Sequence, residues 1–226
     1  MTHTRSIVLA GFFAVAVALF LGLANLYFGE LNQDEGWYLY AAGEVADGSF
    51  PYRDFAFTQA PLLPFVYALA TPLVKAWGLG GGRLFTMVLG LAAAFLAARL
   101  ARKIAPDDAK QAAGWIAFAL AAVNVYQSYF TTVVKTYALC GLFLVAGFWL
   151  LSCVNGRGRA VAALVAGLLL ACAAGTRISS GAALAVGGFY LLARRKDFGD
   201  AAWISFGVGG AAGLAAIFLP WYFVAK

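Results

Sequence analysis

Long apolar runs follow one another along almost the whole chain, separated by short polar breaks. A run of about 20 apolar residues can cross the hydrocarbon core of a bilayer as a helix. The chain is 63% hydrophobic and only 12% charged, against roughly 45–50% and about 25% in a soluble domain. The bilayer must therefore be the solvent for most of the chain.

We predict an all-α polytopic membrane protein, a single domain over residues 1–226 with about seven transmembrane helices. The predicted spans are residues 7–28, 84–100, 112–130, 137–154, 160–175, 180–193 and 201–224. The first run is longer than the core of about 7–15 residues in a cleaved signal peptide. We interpret it as a retained signal anchor.

Residues 29–82, between the first two spans, are predicted to form a large external loop. Its first half is acidic and rich in aromatic residues, and its second half, residues 61–77, is apolar but contains three prolines and Lys75. Prolines and a mid-segment lysine favour a helix at the headgroup level over a straight span. The loop is therefore predicted to hold two juxtamembrane helices, at about residues 34–46 and 61–77.

The basic residues predict the orientation of the chain. If residues 61–77 do not cross the membrane, ten Lys and Arg side chains lie on the cytoplasmic side and six lie outside; if they do cross, the numbers are reversed. Because Lys and Arg accumulate in cytoplasmic loops, we predict a cytoplasmic N-terminus and an external C-terminus. The basic residues lie at the ends of runs rather than on one face, which argues against nucleic-acid binding.

Two adjacent carboxylates, Asp34 and Glu35, begin the first juxtamembrane helix. Asp34 could simply be the N-cap of that helix. Alternatively, Asp34 is a general base that takes a proton from a hydroxyl group at the membrane surface, and Glu35 tunes or orients it. The pair could also ligate a divalent cation through oxygen, whereas His3 has no cysteine or second histidine near it and predicts no transition-metal site.

Lys135 and Arg177 lie at turns on the same external side in the predicted topology. Each could contact lipid headgroups, as basic residues at span ends commonly do. Alternatively, they hold the phosphate of a lipid-linked substrate, where negative charge develops as the phosphate leaves. Arg53 is a third candidate for phosphate binding, although it could instead pair with Asp54 or shape the loop.

Several segments, in their order and spacing, carry a resemblance to a known family. They are the Asp-Glu pair at 34–35, Pro-Tyr-Arg-Asp-Phe at 51–55, Gln-Ala-Pro-Leu-Leu-Pro at 59–64, Gly-Arg-Leu-Phe at 82–85 and Pro-Trp-Tyr at 220–222. Together these segments resemble the GT-C glycosyltransferases, specifically the protein O-mannosyltransferases and the bacterial aminoarabinose transferases. The resemblance covers nearly the whole chain.

The resemblance implies a seven-span module in the inner (plasma) membrane of the cell envelope. Such an enzyme moves one hexose or pentose from a polyprenyl phosphate to an acceptor hydroxyl on the external face, with inversion and without a required cofactor. The acceptor would be a lipid, a glycan or a protein. The resemblance makes Asp34 the catalytic base and matches Arg177 to a basic position of the family. Members usually continue beyond the Pro-Trp-Tyr segment, so we expect a fragment or a short member.

Two other functions stay open from the sequence. The chain could be a non-catalytic subunit that binds or flips a lipid-linked sugar, or an inactive fragment of such an enzyme. A carrier should place polar or charged residues deep in its spans to line a path. The charges here lie near the ends of the runs, which favours the enzyme over the carrier.

Overall fold

A computed structural model describes the backbone of residues 2–224 and the side chains of residues 6–223. Residues 2–224 contain helices and short connections, with no strand and one isolated bridge, between Pro51 and Phe55. The α-helices are α1 (Thr2–Phe28), α2 (Gln33–Ala46), α3 (Leu62–Ala68), α4 (Thr71–Trp77), α5 (Leu79–Ile104), α6 (Lys110–Ala122), α7 (Val125–Phe130), α8 (Thr136–Leu151), α9 (Arg159–Thr176), α10 (Gly181–Ala193), α11 (Arg195–Phe198) and α12 (Asp200–Val224).

Four helices are long and apolar enough to cross a membrane: α1, α5, α9 with the turn before it, and α12. Two shorter apolar helices, α8 and α10, lie between them. Since a soluble domain does not carry several such helices, the prediction of a helical membrane protein is confirmed at this level.

Two predicted helices are broken in the structure. The predicted span at 112–130 is divided into α6 and α7, because Asn124 leaves the helical path and its side chain accepts hydrogen bonds from the N–H groups of Tyr126 and Gln127. The predicted juxtamembrane helix at 61–77 is divided into α3 and α4, with Pro72 in the first turn of α4. Proline is tolerated there because the first N–H groups of a helix have no partner within it.

Helix α9 is central to the bundle and packs along both α12 and α8. A Cβ atom on Gly167 would lie 2.3 Å from the carbonyl oxygen of Phe206, and one on Gly209 would lie 2.1 Å from the carbonyl oxygen of Leu164. Only glycine permits so close an approach of two backbones, a common packing mode of membrane helices. The α9–α12 pair therefore forms a tight scaffold for the second half of the chain.

Contacts between helix ends define two opposite ends of the bundle. At the end that we call the acidic end, the carboxyl end of α1, the start of α5 and the start of α8 meet α2. The carboxyl end of α12 reaches the same end, since the ring of Trp221 lies 5.3 Å from the ring of Tyr52. The acidic loop at residues 30–54 therefore lies beside the last turns of α1 and α12.

The opposite end, which we call the basic end, contains the carboxyl ends of α5, α8 and α10 and the starts of α9 and α12. Lys103 reaches Cys153 there, and Arg159 packs against Gly199. The cations of this end are Arg99, Arg102, Lys103, Lys110, Arg157, Arg159, Arg194, Arg195 and Lys196. Their concentration at one end matches the charge asymmetry expected from the sequence.

A buried ion pair joins α2 to α5 at the acidic end. All five N–H groups of the Arg83 guanidinium are used: Nε and Nη2 donate to Glu35 at 2.9 and 2.7 Å, and the others donate to the carbonyl oxygens of Asn25, Gly29 and Glu30, each at 3.0 Å. The side chains of Arg83 and Glu35 are 3% and 1% exposed. Arg83 therefore binds one carbonyl group of the last turn of α1 and two of the link that follows it, and at the same time it fixes the position of α2.

The Glu35 carboxylate also accepts two backbone hydrogen bonds, from Asn32 N at 3.1 Å and from Val134 N at 3.0 Å. Asn32 is the N-cap of α2, and its side chain accepts a hydrogen bond from Asp34 N. Asn32 and Glu35 together form a capping box. The interpretation of Asp34 as the N-cap is therefore wrong, since Asn32 has that position. Glu35 and Arg83 together join α1, α2, α5 and the link before α8.

The buried pair predicts that Glu35→Gln or Arg83→Met lowers the free energy of unfolding by about 3–5 kcal/mol, because either change leaves a buried charge without its partner. Unfolding of the detergent-solubilised protein by increasing SDS, followed by tryptophan fluorescence, measures this loss. Asp54→Asn, at the exposed pair with Arg53, is the control and should change stability little. Equal losses in the three variants would contradict the assignment.

The same pair predicts an acid dependence of stability. Burial by itself would raise the pKa of Glu35, but the hydrogen bonds from Arg83, Val134 and Asn32 together hold the pKa below its ordinary value of 4.5. A lowered pKa contributes stability that is complete above 4.5 and declines as the pH falls below that value. In SDS unfolding between pH 6 and pH 3, Glu35→Gln should make the loss of stability with falling pH less steep. The same pH dependence in the variant and the wild type would refute this role of Glu35.

Candidate functional site

Asp34 and Lys135 are brought together across the acidic end. The Lys135 ammonium lies 3.0 Å from Asp34 Oδ2, with the side chains 16% and 40% exposed respectively. Asp34 lies in the first turn of α2, and Lys135 is the residue before α8. Their partial exposure leaves the Asp34 carboxylate open to solvent on one side.

Arg177 completes the cluster from the carboxyl end of α9. Its Nη1 donates to the Thr136 hydroxyl at 2.9 Å, and its guanidinium carbon lies 4.7 Å from the centre of the Tyr137 ring. Thr136 directly follows Lys135, so Arg177 is held by the residue next to the other predicted cation. Lys135 therefore contacts Asp34 directly, and Arg177 is connected to the same place through Thr136, the residue after Lys135.

Tyr38 is a member of the cluster that the sequence analysis missed. It lies one helical turn after Asp34, is 5% exposed and packs against Phe57. Burial, and next the negative charge of Asp34, raise the pKa of Tyr38 to about 12, against a smaller opposing effect of Arg177. The phenol is therefore protonated at neutral pH and can donate a hydrogen bond. The four-residue spacing from Asp34 places it on the same helix face and was a usable signal.

A groove of about 510 Å³ opens beside Arg177, between α7, α8 and the turn that leads into α10. Its polar wall includes Arg177, Ser179 and Ser180, and its apolar wall follows α8. The lining residues are Gln127, Phe130, Tyr137, Cys140, Gly141, Leu144, Arg177, Ser179 and Ser180. A groove with a cation at one edge and apolar residues along the other can take an amphipathic ligand with an anionic head.

Glu35 lies apart from the proposed chemistry. Its two oxygens accept hydrogen bonds from Arg83 in the interior, whereas the Asp34 carboxylate is exposed and paired with Lys135. The two neighbouring carboxylates thus point to different partners, and Glu35 is not placed to share a divalent cation with Asp34. Among the described side chains, no group of three or more His, Cys, Asp or Glu residues could hold a metal ion; His3 lies outside them.

Arg53 is held within its own loop. Its guanidinium forms two hydrogen bonds to Asp54, of 2.9 and 2.7 Å, and lies 4.7 Å from the centre of the Phe50 ring. The hydrogen bond from Arg53 is the main reason why the pKa of Asp54 is lowered. These contacts agree with the alternative in which Arg53 shapes the loop, and they do not connect it to Asp34 or Arg177.

The segments that carry the family resemblance meet in two places. The pair at 34–35 contacts the segment at 82–85 through Glu35 and Arg83. Trp221 lies against three residues of the first loop, Phe50, Tyr52 and Phe65, with ring centres 5.3–6.3 Å apart. The distant segments therefore belong to one end of the bundle.

Comparison of the chain with known proteins does not add to this geometry. No protein family, curated protein or solved structure matches it.

Proposed function

We propose that the chain is a membrane glycosyltransferase of the GT-C type. It transfers one sugar from a polyprenyl phosphate to an acceptor hydroxyl at the external face of the inner (plasma) membrane, with inversion at the anomeric carbon. The cluster of Asp34, Lys135 and Arg177 carries this proposal. A solvent-accessible carboxylate pairs with Lys135, and Arg177, which is bonded to the next residue, borders an amphipathic groove.

We infer seven crossings from the direction of the helices between the two ends. In this topology α6 and α7 together form one crossing, and the short helices α8 and α10 form two others. The first loop, with α2, α3 and α4, lies outside, and the basic end faces the cytoplasm. The concentration of Lys and Arg at that end supports this orientation.

In the first step of the proposed reaction, the donor phosphate replaces Asp34 as the ion-pair partner of Lys135. The donor phosphate, with its lipid chain in the groove beside Arg177, competes with Asp34 for the Lys135 ammonium. Asp34 then accepts the proton of the acceptor hydroxyl as that oxygen attacks the anomeric carbon. The bond between the anomeric carbon and the phosphate oxygen breaks, and the electron pair leaves with polyprenyl phosphate.

Lys135 and Arg177 stabilise the negative charge that develops on the leaving phosphate. Arg177 is pre-oriented for this role by Thr136 and by the Tyr137 ring, so few rotamers are lost when the phosphate binds. Tyr38 can donate a hydrogen bond beside Asp34. Glu35 acts as a positioning residue, since it fixes the helix that carries Asp34.

The activity is tested with the purified full chain and a panel of polyprenyl-phosphate hexoses and pentoses. Asp34→Asn should lower transfer by about 10²–10⁴-fold, since the base is removed, and Lys135→Met or Arg177→Met by about 10²-fold or more. Asp47→Asn and Lys75→Met, on the same external loop, are matched controls. Asp34→Asn with wild-type transfer would disprove the assignment, and donor binding without any transfer would indicate the carrier function instead.

The topology has its own test. Single cysteines are introduced as Asp47→Cys at the acidic end and Lys196→Cys at the basic end, in a chain whose three cysteines are replaced by alanine. A membrane-impermeant maleimide added to intact cells should label position 47 and leave position 196 unlabelled until the cells are broken. Labelling of position 196 from outside would reverse the orientation and remove the cluster from the external face.

A further inference from the structure

A second groove lies at the basic end, between the carboxyl ends of α5, α8 and α10. It has a volume of about 330 Å³. Its walls are formed by Leu100 and Ile104 from α5 and by Val186 and Tyr190 from α10, and Leu151 of α8 lies in its floor. Ile104, Val186 and Tyr190 are 72%, 60% and 45% exposed, so the groove is open at the surface of the bundle.

The inside of this groove is suited to a hydrocarbon chain. The residues that face it are apolar except for Ser152 and Tyr190. The Ser152 hydroxyl donates its hydrogen bond to the Trp149 carbonyl oxygen. The Tyr190 hydroxyl has no hydrogen-bond partner among the side chains and backbone groups of residues 6–223, which leaves it available at the rim. An apolar body with a polar rim matches the division of a lipid into chain and headgroup.

Lys103 provides a cation next to the groove on the side of α5. It directly precedes Ile104, and its ammonium lies 3.3 Å from the Cys153 sulfur, beside Ser152. None of the carboxylates in the described part of the chain lies within ion-pair distance of it. Its charge is therefore not neutralised by the protein.

Arg194 provides a second cation on the side of α10, one helical turn after Tyr190. Its guanidinium pairs with Asp197 through Nε and lies 5.8 Å from the centre of the Phe198 ring, and the centre of that ring lies 5.8 Å from that of Tyr190. The pair with Asp197 leaves the two terminal nitrogens of Arg194 to other acceptors. The rim of the groove therefore has the unneutralised Lys103 ammonium on the side of α5 and the Asp197-paired Arg194 guanidinium on the side of α10.

We propose that this groove binds one anionic phospholipid, with an acyl chain between α5 and α10 and the headgroup phosphate held by Lys103 and Arg194. Basic residues at membrane-facing pockets favour anionic headgroups, and the basic end has more cations than carboxylates. A choline headgroup would bring a further positive charge to the same place. The site is separate from the cluster at Asp34 and does not depend on sugar transfer.

The proposal is tested by native mass spectrometry of the detergent-solubilised full chain with equal amounts of dioleoyl phosphatidylglycerol and dioleoyl phosphatidylcholine. The wild-type protein should retain one phosphatidylglycerol in preference to phosphatidylcholine. Lys103→Gln should lower this preference about fivefold, as expected for loss of one cation near a membrane surface. Val186→Trp should lower retention of phosphatidylglycerol by filling the groove, and free glycerol phosphate should not displace the lipid.

Two controls separate a specific site from general attraction. Lys110→Gln removes a cation of the basic end that pairs with Asp107, and Val208→Trp enlarges an exposed residue on α12; neither should change retention. Equal retention of the two lipids by the wild-type protein would overturn the proposal. So would an equal effect of Lys110→Gln and Lys103→Gln, or unchanged retention in Val186→Trp.

Discussion

The buried pair of Glu35 and Arg83 is the contact on which the acidic end depends. A buried carboxylate and guanidinium are costly to remove from water and are tolerated when every hydrogen-bonding group has a partner. Here all five guanidinium N–H groups have acceptors, and the carboxylate accepts two further backbone bonds. Because the partners come from four separate segments, one pair determines how α1, α2, α5 and the link before α8 meet.

The sequence predicted the helical class and the four helices that are long and apolar enough to cross a membrane, since apolar length is set by the thickness of the bilayer. It did not predict the interruptions. The break at Asn124 depends on a side chain that replaces helical hydrogen bonds, which hydropathy does not register. Nor could it separate Asp34 from Glu35: the two are adjacent, and only the position of Arg83, 48 residues further on, decides which of them is buried.

The sequence predicted the charged residues of the candidate site better than it predicted the contacts between them. Asp34, Lys135 and Arg177 were selected because of charge at the same ends of apolar runs; the structure pairs Asp34 with Lys135 and holds Arg177 on Thr136, the next residue. Arg53 met the same criterion, but its guanidinium forms an ion pair with the adjacent Asp54 instead. Tyr38 was missed because an aromatic residue near a membrane surface has an ordinary role as an interfacial anchor, and its role beside Asp34 depends on tertiary packing.

Three consecutive residues at the start of α8 each hold a different partner. The Val134 N–H binds Glu35, Lys135 pairs with Asp34, and the Thr136 hydroxyl accepts from Arg177. One short stretch of backbone therefore fixes the position of α2 relative to the end of α9. An insertion or deletion of a single residue here would shift all three contacts out of register together, so all three contacts constrain the length of this link.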